Sequence, residues 1–134
     1  MAENSPSMSF CKISLNSNYI LTSSLDDKVR LWDWNKSEIC SKYFGHRNSD
    51  MVIEAGFLGK EFNNQTLIYS GSEDGRVYFW DLDKEESKSN IEIFPNSIPI
   101  SICNTGQNVV SSKYLVCGSF QSNKLKLIPI ETLC

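Results

Sequence analysis

The chain has 134 residues, 40% hydrophobic and 22% charged, with a net charge of −3 and a pI near 5.1. That balance fits a soluble globular protein, excludes a disordered one, and gives no electrostatic basis for binding nucleic acid or an anionic membrane. No apolar run approaches the roughly 20 residues that span a bilayer.

The first six residues, Met-Ala-Glu-Asn-Ser-Pro, have neither the basic nor the apolar region of a secretory signal, so an intracellular location is expected. Cys11, Cys40, Cys103, Cys117 and Cys134 are odd in number and widely spaced, which predicts free thiols. With one histidine and no CxxC pair, neither a metal nor another cofactor is expected.

After a polar entry segment over 1–7, short alternating apolar runs predict strands over 9–14, 19–23, 29–32 and 39–43, separated by polar turns. The pattern restarts after Gly45-His46, with strands over 51–57, 65–70, 76–80 and 91–94. The charged run 83–90 and the segment 59–64 read as solvated loops. A last group spans 98–103, 113–117 and 124–128. The total is about eleven strands and no good helix.

Thr22-Ser-Ser-Leu-Asp-Asp-Lys-Val-Arg-Leu-Trp-Asp33 and Ser70-Gly-Ser-Glu-Asp-Gly-Arg-Val-Tyr-Phe-Trp-Asp81 are near-copies, offset by 48 residues (70 − 22) with no gap. A further 48 residues on, Cys117-Gly-Ser-Phe and Leu125–Ile128 form a worn third copy. Repetition at this period signals an array of like units.

Gly45-His46, Ser24-Leu-Asp26, Ser72-Glu-Asp74, Trp32-Asp33 and Trp80-Asp81 resemble the motifs of the WD-repeat β-propeller family. The resemblance covers residues 8–130. It implies an all-β fold, a propeller segment of about three four-stranded antiparallel blades over 8–44, 45–95 and 96–130, with the ring incomplete. It also implies a buried hydrogen-bonded clasp in each blade: His46, Ser70, Asp74 and Trp80 in the middle one, and Thr22, Asp26 and Trp32 in the first. The third blade has Ser122 and Ile128 in place of Asp and Trp, and is expected to be the least stable. Buried polar groups of this kind are costly unless mutually satisfied, so Asp74→Ala is expected to cost roughly 1–3 kcal/mol. Ser70, His46 and Asp74 also name a hydrolase triad. The chain has no nucleophile elbow, and the family buries these side chains, so a non-catalytic protein is expected.

Within the family, Ser14–Leu21, Lys42–Asn48 and Ser70–Trp80 resemble the last three blades of the scaffold subunits of histone H3 lysine-4 methyltransferase complexes. This implies a nuclear scaffold for protein subunits or peptides; scaffolding in RNA processing or ubiquitin transfer is the alternative. Carried over by position, a side cleft for an acidic, apolar peptide falls at Asn16, Tyr19, Leu31 and Phe57. Asp83 stands where the pattern has a neutral amide. The central opening falls at Glu54, a carboxylate where the pattern has an aromatic ring. Three blades cannot close a ring, so self-association or a missing propeller half is expected on the open faces.

Overall fold

The computed structural model describes residues 6–14, 17–59, 66–104, 114–120 and 123–129. Within these residues eleven strands form three antiparallel sheets, there is no helix, and the sheets do not close into a ring. The first sheet is β1 (Met8–Ile13), β2 (Tyr19–Ser24), β3 (Lys28–Asp33) and β4 (Glu38–Phe44), hydrogen-bonded in chain order. The middle sheet is β5 (Ala55–Gly59), β6 (Thr66–Gly71), β7 (Arg76–Asp81) and β8 (Ser89–Glu92), again in order. The third has β9 (Pro99–Asn104), β10 (Tyr114–Ser119) and β11 (Leu125–Pro129), with β10 central.

The sheets stack, and each seam is an apolar core. Leu21, Val29, Leu31 and Tyr43 of the first sheet meet Ala55, Phe57, Ile68 and Trp80 of the middle one. Leu58, Leu67, Tyr69, Val77 and Phe79 meet Ile102, Leu115, Cys117 and Ile128 of the third. The middle sheet is therefore covered on both faces. Its strands read as continuous apolar runs for that reason, with Leu67, Ile68 and Tyr69 all fully buried. In the third sheet Cys117 pairs with Lys126 as Ser70 pairs with Tyr78. The third copy is thus offset by 47 residues at β10 (117 − 70) and 48 at β11 (126 − 78).

The duplicated motif folds into the same turn twice. Asp27 and Gly75, one repeat apart, both take the left-handed conformation, at φ 62° and 86°. Aspartate tolerates that region better than most residues, and glycine enters it freely.

Gly71 lets β6 approach the backbone of β9 closely. A Cβ there would lie 2.0 Å from the Pro99 carbonyl oxygen and 2.7 Å from Ile53 Cγ2. Backbone cannot yield as a flexible side chain can. Gly71→Ala is expected to cost about 2–3 kcal/mol by prising β6 from β9, read as a lowered melting temperature with enhanced amide exchange in β9.

Three expectations need correction. Residues 51–54 were expected in a strand, but β5 begins at Ala55. Glu73 pulls the preceding loop away: its carboxylate accepts the backbone N–H groups of Ser49, Asp50 and Met51 at 2.7–3.1 Å. The strand expected over 91–94 is β8 at Ser89–Glu92. Ile93 and Phe94 leave the ladder because both their N–H groups donate to the Gly75 carbonyl, which turns their side chains into the second core. The charged run 83–90 is exposed over most of its length but not merely solvated. Phe44 N–H donates to the Glu85 carbonyl at 3.2 Å, Phe44 and Glu86 form a parallel bridge, and Tyr43 OH donates to the Leu82 carbonyl. The run straps the middle sheet to β4.

Candidate protein-interaction site

The four middle-sheet clasp residues do not form one hydrogen-bonded chain. Trp80 is fully buried, but its Nε1–H donates to the Phe44 carbonyl at 2.9 Å rather than to Ser70. Ser70 is buried and donates to the Gly71 carbonyl at 2.8 Å. Asp74 is exposed; it accepts the Tyr78 hydroxyl at 2.6 Å and the Arg76 N–H at 3.1 Å. His46 is 4% exposed, edge-on to the Trp80 ring with centroids 5.1 Å apart, and neither ring nitrogen has a protein partner. Burial pushes its pKa down to about 4, against the opposing pull of Asp27, Asp74, Asp26 and Glu73.

The first sheet keeps part of its expected clasp. Trp32 Nε1–H donates to Thr22 Oγ1 at 2.9 Å. Asp26 accepts Ser24 Oγ–H and pairs with Arg30, Nη2 to Oδ2 at 2.6 Å. Partial burial raises its pKa, but the Arg30 and Ser24 bonds outweigh this and hold it below the usual carboxylate value.

Arg30 and Tyr78 occupy the same repeat position (78 − 48). The turn aspartate is therefore held by the third strand of its own sheet, not by histidine. Sequence reasoning missed this, although both copies place a long donor four residues after the aspartate.

Tyr78 reports the arrangement. Burial, then the Asp74 hydrogen bond and charge, push its pKa up to about 12. Asp74→Ala is expected to bring the Tyr78 titration back toward 10, seen as earlier tyrosinate absorbance in an alkaline titration. Because Asp74 is exposed, its stability cost is expected at about 1 kcal/mol or less, below the sequence-based range.

Asp27 and Glu73, neither singled out from sequence, lace the loop after His46. Asn48 N–H donates to Asp27 Oδ1 at 2.6 Å, and Asp27 N–H returns to the Asn48 carbonyl at 3.1 Å. Arg47 N–H donates to Ser72 Oγ at 2.9 Å, and Glu73 N–H to the Arg47 carbonyl at 2.8 Å. The loop is thereby tied to the β2–β3 and β6–β7 turns together.

Tyr19, Leu31 and Phe57 do come together, all in the seam between the first two sheets. Leu31 is 5% exposed and Phe57 9%, so both mainly pack the sheets, while Tyr19 is half-buried at the margin. Asn16, the fourth cleft position, lies outside the described residues. Asp83 is exposed in the strap.

Glu54 is engaged within the fold. Its Oε2 accepts Ile102 N–H at 2.8 Å and Ser101 Oγ–H at 3.3 Å, and its backbone N–H donates to the Ile100 carbonyl at 2.9 Å. The residue brackets the inner edge of β9 to the middle sheet. Glu54→Ala is expected to cost roughly 1–3 kcal/mol by orphaning that edge, with faster amide exchange at Ile102 as the local readout.

The family model described as WD domain, G-beta repeat, matches residues 4–33 and 62–81. A WD repeat-containing protein of Schizosaccharomyces pombe is 32% identical over 68% of this chain and 29% of its own length. WD repeat domain-containing protein 83 of Danio rerio is 42% identical over 46% of this chain and 18% of its own. GID complex subunit 7 of S. pombe is 35% identical over 51% of this chain and 13% of its own. The chain thus spans less than a third of the length of these relatives. Matched motifs, relatives and three stacked antiparallel sheets together support its membership of the WD40 repeat family.

Proposed function

We propose that the chain is a non-catalytic WD40-repeat scaffold holding protein subunits or peptides, serving a histone H3 lysine-4 methyltransferase-type complex in the nucleus. The carrying observation is the seam that gathers Tyr19, Leu31 and Phe57, with Tyr19 at its margin. An aromatic rim beside an apolar seam suits a short apolar peptide anchor. The chromatin assignment rests on the motif resemblance of Ser14–Leu21 and Lys42–Asn48. A hydrolase reading lacks its basic contact, because both His46 nitrogens are unbonded and Ser70 donates to backbone.

Affinity purification of the tagged chain from nuclear extract tests the proposal. Methyltransferase-complex subunits are expected to copurify, and Tyr19→Ala to release them while the melting temperature stays within about 2 °C of wild type. The similarity to GID complex subunit 7 supports a second reading, a scaffold in an assembly of that kind. Recovery of GID subunits instead would decide for it.

A further inference from the structure

The two seams share a plan and are finished differently. Ala55 pairs with Ser70 in the middle sheet as Ile102 pairs with Cys117 in the third, so β9 and β10 both run 47 residues after their counterparts (102 − 55, 117 − 70). Carried along both strands, that offset sets Asn96, Ser97 and Ile98 in the places of Ser49, Asp50 and Met51 (96 − 49). It sets Phe120 in the place of Glu73 (120 − 73). In the first seam the Glu73 carboxylate gathers the three loop amides at 2.7–3.1 Å. Partial burial raises the Glu73 pKa, but the bonds from the Asp50, Ser49 and Met51 amides outweigh this and hold it below the usual carboxylate value. The second seam has a phenyl ring at that position. Among the described residues no carboxylate is bonded to the amides of Asn96, Ser97 or Ile98; that of Ser97 only closes a turn onto the Phe94 carbonyl at 3.4 Å.

A recess of about 450 Å³ lies at this place in the second seam. Phe94, Pro95, Ile98 and Phe120 give it apolar walls, with Asn96 and Ser97 between them. Lys124, which is exposed, is the one charged residue lining it among the described residues. Backbone bonds fix both walls. Phe120 N–H donates to the Ile98 carbonyl at 2.8 Å, and Ser97 Oγ–H to the Phe120 carbonyl at 2.7 Å. The Gly75 carbonyl holds the Ile93 and Phe94 amides, and the Lys124 carbonyl accepts Ser119 N–H at 3.3 Å. A site fixed in this way before binding loses little entropy when a ligand enters.

We propose that this recess binds a peptide segment carrying a glutamate or aspartate beside an apolar side chain. The ligand's carboxylate takes, from outside the chain, the part that Glu73 plays within it. It accepts the amides of loop 96–98 and pairs with Lys124, both charge-assisted contacts. The apolar neighbour packs on Phe94, Pro95 and Phe120, in a volume suited to one or two side chains. Charge sets the sign of the ligand: with one cation and no anion among the lining residues, an acidic segment is attracted and a basic one repelled. Tyr19 lies in the other seam and takes no part.

The probe is acetyl-Gly-Leu-Glu-Leu-Gly-amide, whose single carboxylate is that of the glutamate. Titrated into the isotope-labelled full chain, it is expected to move the amide resonances of Asn96, Ser97 and Ile98 together and saturably. The same peptide with glutamine in place of glutamate is expected to bind at least about tenfold more weakly. Phe120→Glu returns an internal carboxylate to the second seam. It is expected to abolish peptide binding and to slow amide exchange over 96–98 in the unliganded chain, a gain of protection that misfolding does not produce. Lys124→Glu is expected to weaken binding and leave that exchange unchanged. Tyr19→Ala is expected to leave the titration as it is, so the two seams are read separately. Equal affinity for the glutamate and glutamine peptides overturns the proposal. So does binding retained by Phe120→Glu, and so does a titration that leaves the 96–98 amides unmoved.

Discussion

Acidification from pH 7 to pH 4 is expected to weaken the folded chain by about 3 kcal/mol through His46 alone. The folded-state pKa near 4 lies below the unfolded value of 6.5, because the imidazole is buried against the Trp80 ring with no hydrogen-bond partner for either nitrogen. Above pH 6.5 the ring is neutral in both states and the site adds no pH dependence. As the pH falls from 6.5 toward 4, the unfolded chain takes up a proton that the folded one refuses, and stability is lost. Below about 4 both states bind it and the loss levels off. Asp26, whose folded pKa is depressed, contributes its own loss at lower pH, as the solution passes through the carboxylate range. Urea midpoints measured across pH 4–7 should fall steeply for the unmodified chain and stay nearly flat for His46→Phe. An equal slope in the variant would show that the acid sensitivity lies elsewhere.

The strands were legible because covering a sheet on one face or two writes its pattern into the side chains. β2, β3, β6 and β7 announce themselves through Leu21, Val29, Leu67, Ile68, Val77 and Phe79, and the two copies corroborate each other. The strand ends were not legible, because they depend on long-range partners. Nothing local says that Glu73 will gather the amides of Ser49–Met51, or that the Gly75 carbonyl will capture Ile93 and Phe94. The clasp shows the same limit from the other side. The motif brings His46, Ser70, Asp74 and Trp80 into one region, yet which donor meets which acceptor is decided by Phe44 and Tyr78, neither of them among those four. The structural role of Glu54 was hidden for a related reason. A carboxylate aimed at a neighbouring sheet's edge looks, in sequence, like one aimed at solvent.

Trp32 and Trp80 offer the sharpest contrast, since the two Trp-Asp motifs match letter for letter and their surroundings do not. Trp80 has no exposed surface, lies against Tyr43 with ring centroids 6.0 Å apart, and ties the middle sheet to β4 through Phe44. Trp80→Ala is expected to cost about 3–5 kcal/mol, the range for deleting a buried aromatic ring, at every protein concentration. Trp32 makes its Thr22 bond on a face that no other sheet covers among the described residues, so in a dissociated chain Trp32→Ala should cost only about 1 kcal/mol. If association covers that face, the cost of Trp32→Ala must grow with protein concentration, because association then adds to the stability of the unmodified chain by mass action. Thermal denaturation at two concentrations a hundredfold apart separates the cases. A concentration-independent cost for Trp32→Ala would mean that nothing in solution takes the place above Trp32 that the first sheet takes above Trp80.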